Sequence, residues 1–283
     1  MNVGEALLQG RRLIESIGSD ESPLEAELLL RHALSIDRVR LYQRLTDNLP
    51  RRDEQRYRKL LDRRLDREPT AYIVGRKEFF GLEFEVTRAA LIPRPETEVL
   101  VEIVVAFIQS QYRGSPVNVA DVGVGCGTIA VSLAYELPNV NVVATDTSKR
   151  ALKLAQRNAQ RHEVADRVAF AQGNLLAPLT EPVGIIASNL PYVPTTDWQA
   201  LPPEIHDHEP RAALDGGEDG LRIIRRLLRR APEHLGPAGT VFAEIGDEQG
   251  QLAADAATSV FPDARVEVRP DLAGLDRVLC VYT

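Results

Sequence analysis

A chain of 283 residues, 44% hydrophobic and 27% charged, has the composition of an ordinary globular protein and is long enough for two domains. Its 34 basic and 41 acidic residues leave a formal charge of −7, which argues against a protein that coats a long polyanion. No apolar run approaches the roughly 20 residues of a membrane span, Met1-Asn2-Val3-Gly4-Glu5 carries no basic or secretory segment, and Cys126 and Cys280 form no Cys-x-x-Cys pair, so a cytoplasmic protein with reduced thiols is expected.

Residues 1–75 read as a small helical domain. Val3, Leu7, Ile14 and Ile17 form a first stripe at helical spacing, stopped by Gly18. Ser22-Pro23-Leu24-Glu25 offers an N-cap serine, a proline at the first helical position and a glutamate placed to close a capping box, so a helix is expected through about Leu34. Another lies between Pro50 and Pro69, with Tyr57, Leu60, Leu61 and Leu65 on its apolar face. The stretch 51–67 holds eight basic and four acidic residues; a solvated helix face explains it more simply than a binding patch.

At Lys77 the period changes from about 3.6 to 2. Phe79-Phe80-Gly81 followed by Leu82, Phe84 and Val86 predicts a β-hairpin, a connector over residues 76–93. Strands and helices then alternate over 94–283. Strands are expected at 117–122, 140–145, 167–171, 184–188 and 240–245, and helices after Pro95 and over 128–137, 148–162 and 221–230. The fold class is therefore α/β, with a mostly parallel sheet covered on both faces. Arg222, Arg225, Arg226, Arg229 and Arg230 form the solvated face of the last helix, opposite Leu221, Ile224 and Leu228.

In such a sheet the ligand sits beyond the carboxyl ends of the strands. After the first strand comes Asp121-Val122-Gly123-Val124-Gly125-Cys126-Gly127-Thr128, whose alternate glycines let backbone approach a ligand at a helix N-terminus. Thr128 stands where the third glycine of Gly-x-Gly-x-x-Gly would fall, which counts against a dinucleotide oxidoreductase. Asp146, 23 residues beyond Gly123, is spaced to take both hydroxyls of a ribose, with Ser148 available to cap the next helix instead. Gly173-Asn174-Leu175 offers an amide and an apolar surface suited to the edge and face of adenine. The nucleotide-type set is thus Asp121, Gly123, Val124, Gly125, Cys126, Gly127, Asp146, Asn174 and Leu175, joined by Asn189 from the fourth strand. Cys126 reads as a small residue in a tight turn rather than a nucleophile, and His206-Asp207-His208 lacks a third clustered ligand, so no metal is expected.

The fourth strand delivers Asn189-Leu190-Pro191-Tyr192 to the same edge. This element resembles the Asn-Pro-Pro-Tyr of methyltransferases that use S-adenosylmethionine to methylate amino nitrogens in planar groups: adenine, cytosine or the glutamine amide. Leu91-Ile92-Pro93-Arg94-Pro95-Glu96-Thr97-Glu98, Glu209-Pro210-Arg211-Ala212-Ala213-Leu214-Asp215-Gly216-Gly217 and Asp271-Leu272-Ala273-Gly274-Leu275-Asp276-Arg277 resemble one branch of them, the N5-glutamine methyltransferases that modify the Gly-Gly-Gln loop of peptide chain release factors. The resemblance covers nearly the whole chain. It implies a Rossmann-like class I methyltransferase sheet, S-adenosylmethionine as cofactor without a metal, and release factors as partners gripped by the N-terminal helices; the acidic charge, for its part, argues against direct nucleic-acid binding. Leu190 departs from the family's proline.

The chemistry explains the residue types. An amide nitrogen is a poor nucleophile because its lone pair is delocalised, so it must be held in line with the methyl group. Its hydrogens become more positive as it attacks, and two acceptors fixed in advance stabilise the transition state. Asn189 Oδ1 and the Leu190 carbonyl are those acceptors, Pro191 biases Leu190 toward an extended backbone, and Tyr192 stacks on the amide. No general base is needed, since the proton can leave afterwards to water. Arg94 and Thr97 are placed either to hold the cofactor's carboxylate or to cap a helix, and Glu209-Pro210-Arg211 receives no physical role. Two competitors stand: the same chemistry on adenine or cytosine in nucleic acid, opposed by 28 acidic against 20 basic residues over 76–283, and a silent binding module, opposed by the intact motif set.

Overall fold

Five helices form from the N-terminal sequence: α1 (Val3–Glu15), α2 (Ser22–Leu34), α3 (Arg38–Gln43), α4 (Arg51–Leu65) and α5 (Thr70–Val74). Asn2 and Glu5 close a capping box on α1. The box expected on α2 does not form. Glu21 takes the N-cap position without a side-chain bond, Ser22 is buried in the first turn, and Glu25 instead receives the Arg64 guanidinium at 3.0 Å and the Thr70 hydroxyl at 3.0 Å. A buried cation needs a carboxylate more than a helix end needs one capping bond. Val3, Ile14, Leu29, Leu30, Leu41, Tyr57 and Leu61 fill the core of this unit.

The computed structural model describes residues Met1 to Thr283 and divides into two units, Met1–Arg76 with Pro202–His208 and Lys77–Leu201 with Glu209–Thr283. The hairpin β1 (Arg76–Phe79) and β2 (Leu82–Glu85) begins at the last residue of the first stretch, Arg76, and otherwise belongs to the second unit. Phe80 (φ 51) and Gly81 (φ 71) are both left-handed, as a two-residue type I′ turn requires. The hairpin is no free connector. Phe79 and Phe84 lie in the main core cluster, and the Asn158 side chain bonds both the amide and the carbonyl of Glu85.

The alternating elements that follow are α6 (Glu96–Tyr112), β3 (Val117–Val122), α7 (Thr128–Glu136), β4 (Val140–Asp146), α8 (Lys149–Arg161), β5 (Val168–Gln172) and β6 (Val183–Ser188). After β7 (Val193–Pro194) the chain gives α9 (Pro203–His206) to the helical unit, then returns as β8 (Asp215–Gly217), α10 (Arg222–Arg230), β9 (Leu235–Glu244), α11 (Gly250–Val260), β10 (Arg265–Pro270) and β11 (Asp276–Tyr282). The seven-stranded sheet has the order β10-β11-β9-β6-β3-β4-β5. Pairing is parallel from β9 to β5, and β11 is antiparallel to both β9 and β10. The last two strands and α11 went unanticipated. Val117 and Val119 of β3 pack into one apolar cluster while Ala120 and Val122 pack into the other, so both faces are buried under helices. No helix is long and apolar enough to cross a membrane.

Candidate active site

The chain runs outward from β3 to β4 and β5, then crosses back to place β6 on the other side of β3. A crevice forms where the order reverses, at the carboxyl ends of β3 and β6. The glycine turn and the Asn189 segment both end there. Gly123 has φ +82, and a Cβ on it would lie 3.0 Å from Leu190 Cδ2, so the two motifs press together at a position open only to glycine.

The turn is held from three directions. The Gly123 and Val124 amides donate to the Thr145 carbonyl at 2.8 and 2.9 Å. Asp121 is fully buried and its Oδ2 accepts from the Ala130 amide at 2.9 Å, which fastens the first turn of α7 to the end of β3. Burial, with Asp146 nearby, pushes the Asp121 carboxyl up to about 7. Its part is thus the shape of the turn. Cys126 and Val124 are buried within it, and burial pushes the Cys126 thiol up to about 12, far from a thiolate nucleophile.

Asp146 ends β4 half-buried, accepting from Gly125 at 3.1 Å and from Ser148 at 2.8 Å, while the Ser148 hydroxyl caps α8 through the Ala151 amide. Each carboxylate oxygen keeps acceptor capacity, enough for two hydroxyls. Leu175, buried with φ 55, has its carbonyl held by the Thr145 hydroxyl at 2.9 Å. Asn174 is exposed, and its Oδ1 accepts from Arg226 on α10 at 3.3 Å.

Asn189 and Tyr192 are both half-buried. The Asn189 amide nitrogen donates to the Thr97 hydroxyl at 2.9 Å, so the amide is oriented with its oxygen on the other side. The Tyr192 hydroxyl donates to Glu244 Oε1 at 3.1 Å, and Gln249 donates to the Tyr192 carbonyl at 2.8 Å. Leu190 is buried and supplies the contact with Gly123. Behind them the chain passes so close that a Cβ on Gly220 would lie 2.1 Å from the Tyr192 carbonyl oxygen.

Two motifs without a role at the level of sequence acquire one here. Glu209 is buried and accepts from the Ile92 amide at 3.0 Å and from the Arg94 guanidinium, which ties the 91–98 stretch to the 209–217 stretch. Arg211 lies over the Trp198 ring at 5.1 Å and pairs with Asp215. Arg94 and Thr97 are thereby committed to Glu209 and Asn189. Asp271 accepts from the Ala273 and Leu275 amides and from the buried Arg277, closing the turn between β10 and β11. His206 pairs with Asp207 at 2.6 Å, and no group of three or more His, Cys, Asp or Glu is placed to hold a metal.

The sequence matches the model of the PrmC N-terminal domain over residues 5–75 and that of the methyltransferase small domain over residues 97–201. A release factor glutamine methyltransferase of Moorella thermoacetica is 41% identical over 283 residues, 100% of this chain and 99% of the relative. The chain belongs to the release factor glutamine methyltransferase family. Another member, from Geobacter sulfurreducens, is 45% identical over 237 residues, 83% of this chain and 80% of the relative. Among solved structures, a methyltransferase from Pyrococcus furiosus superposes with TM-score 0.52 at 18% identity, covering 73% of this chain and 91% of its own. A T. thermophilus 16S rRNA methyltransferase, solved with AdoMet and guanosine, gives TM-score 0.50 at 15% identity over 74% of this chain and 49% of its own. These two likenesses carry the methyltransferase fold.

Within that family frame, Glu244, Gln249 and the anchoring use of Thr97 are the site features that motif reading missed. The available signal was Glu244 itself, an acid ending an apolar strand at the same sheet edge, since β9 lies next to β6. Extending the strand-end rule to a fifth strand finds it.

Proposed function

We propose that this protein transfers a methyl group from S-adenosylmethionine to the side-chain amide nitrogen of the glutamine in the Gly-Gly-Gln loop of peptide chain release factors. The observation that carries the reading is the bond from Asn189 Nδ2 to Thr97, which leaves Asn189 Oδ1 as an acceptor for an incoming NH2. The backbone at 123–127, the half-buried Asp146 and the Asn174-Leu175 pair are the groups that would hold the cofactor. Their donor set fits it: turn amides at a helix N-terminus, a carboxylate with spare acceptor capacity, and an apolar shelf. When bound, the cofactor supplies an electrophilic methyl on a sulfonium. Asn189 Oδ1 and the Leu190 carbonyl hold the two hydrogens of the substrate amide, Tyr192 covers its plane, and the buried surround favours a step in which positive charge at sulfur is lost. The proton leaves to water after transfer.

Methylation of nucleic acid is not favoured, because full-length relatives share one protein-directed name and acidic residues outnumber basic ones in the catalytic part. The silent-module reading has no support while Gly123, Asp146, Asn189 and Tyr192 converge. We read the place of action as the cytoplasm, from the free thiols and the translation-factor substrate. Incubation with labelled S-adenosylmethionine and a release factor is expected to label one glutamine. Label that survives replacement of that glutamine, or that goes to RNA instead, overturns the reading.

A further inference from the structure

An asparagine amide is nearly symmetric in shape, so oxygen and nitrogen can exchange places at little steric cost, yet only the oxygen can receive the hydrogens of a substrate NH2. The partner of Asn189 is the Thr97 hydroxyl, which has a single proton. If Thr97 gives that proton elsewhere, it can only accept, and Asn189 must present its nitrogen. The elsewhere is visible. Thr97, buried in the first turn of α6, lies close enough to Glu244 to lower its pKa. The Tyr192 hydroxyl donates to Oε1 of the same carboxyl at 3.1 Å. Glu244 has no solvent exposure, and its Oε2 lacks any hydrogen bond of regular geometry, which leaves the carboxyl an acceptor short of donors.

We propose that Glu244 is a positioning residue for methyl transfer: as an ionised acceptor it draws the Thr97 O–H toward itself, obliges the Thr97 oxygen to accept from Asn189, and so turns the Asn189 oxygen toward the substrate amide while tethering the Tyr192 ring. This rests on the reading of Asn189 as the acceptor for a glutamine amide. Protonation turns one Glu244 oxygen into an O–H donor; when that O–H points at Thr97, the threonine hydroxyl accepts it, donates to Asn189 Oδ1 instead, and lets the amide turn its nitrogen outward, where it opposes the substrate's own donors. Burial pushes this carboxyl up to about 7, against the hydroxyls of Thr97 and Tyr192 and the charge of Arg277 on β11, with Glu96 on α6 adding to the rise. Arg94, before α6, acts on Tyr192 in the same cluster. The switch therefore lies near neutral pH.

The test uses the full chain as wild type, Glu244→Gln, Thr97→Val and Thr97→Ser, with a release factor and labelled S-adenosylmethionine, and follows the Asn189 side-chain NH2 resonances by NMR across pH. Glu244→Gln and Thr97→Val are expected to lower kcat by at least roughly tenfold with KM and cofactor affinity within about twofold, and Thr97→Ser to restore it. Wild-type kcat falls on the acid side with a near-neutral midpoint that Glu244→Gln lacks, and the Asn189 resonances follow the same midpoint. A merely structural Glu244 would shift melting temperature, KM and cofactor affinity together. The proposal is overturned if Thr97→Ser behaves as Thr97→Val, if Glu244→Gln keeps the acid limb, or if the wild-type Asn189 resonances ignore pH. The NMR titration needs no turnover, so a wild type that labels no glutamine counts against the function while the titration decides the network; it also stands if a variant fails to fold.

Discussion

Asn189 shows how one residue can be legible and yet incomplete in a sequence. Its type and its place after an apolar strand identify an acceptor for a planar NH2, but nothing in the sequence says which end of its amide faces the crevice. That is set by Thr97, 92 positions earlier in the chain. Asn189→Ala removes a preorganised acceptor, and kcat is expected to fall by about 10²–10³ with cofactor affinity little changed, read by single-turnover kinetics and calorimetry. Retention of most of the wild-type rate would show that the Leu190 carbonyl suffices. Asp146 follows the same pattern: its spacing suggests a ribose ligand, while its bonds to Gly125 and Ser148 show that it also stitches the glycine turn to β4. Asp121 is the contrasting case, a residue in a ligand-binding motif whose carboxylate faces wholly inward.

At the scale of elements, periodicity recovered the central parallel strands because each is a short apolar run bounded by turn residues. It missed β10, where Arg265, Glu267 and Arg269 alternate on an edge strand that buries little surface, and β11, whose apolar residues become a strand only by pairing with β9. Just beyond the 209–217 segment the chain is held by close backbone approach. Gly220→Ala, with φ +76 and a Cβ 2.1 Å from the Tyr192 carbonyl, is expected to destabilise by more than about 2 kcal/mol and to depress activity beyond its effect on melting. In the helical unit, the Arg64 side chain is 4% exposed and bonds both Glu25 and Glu204 at 3.0 Å. Arg64→Met leaves Glu25 without its cation and Glu204 with Arg67 alone, and a loss of about 2 to 3 kcal/mol is expected in urea unfolding. An unchanged midpoint would mean that Glu25 and Glu204 find water instead.

For the whole molecule, Asp121 and Glu244 both sit at about 7 in the folded protein, raised from 3.8 and 4.5 by burial. Between those lower values and about 7 the native state holds protons that the unfolded chain has released, so stability is greatest at the acid end of this window and falls as pH rises through it. Asp121→Asn should flatten that slope, measured as melting temperature against pH; an equally steep slope would assign it to other groups. What the sequence by itself determined is the order of elements, the chemistry at each strand end and the family, because these depend on local periodicity and on short motifs. The crossing between β3 and β6 that brings the motifs together, the bonds from Asn189 to Thr97 and from Tyr192 to Glu244, and the service of Glu209 to Ile92 and Arg94 were decided only in tertiary structure. Each joins residues distant in the chain, and the burial that makes such bonds strong exists only once the sheet has closed over them.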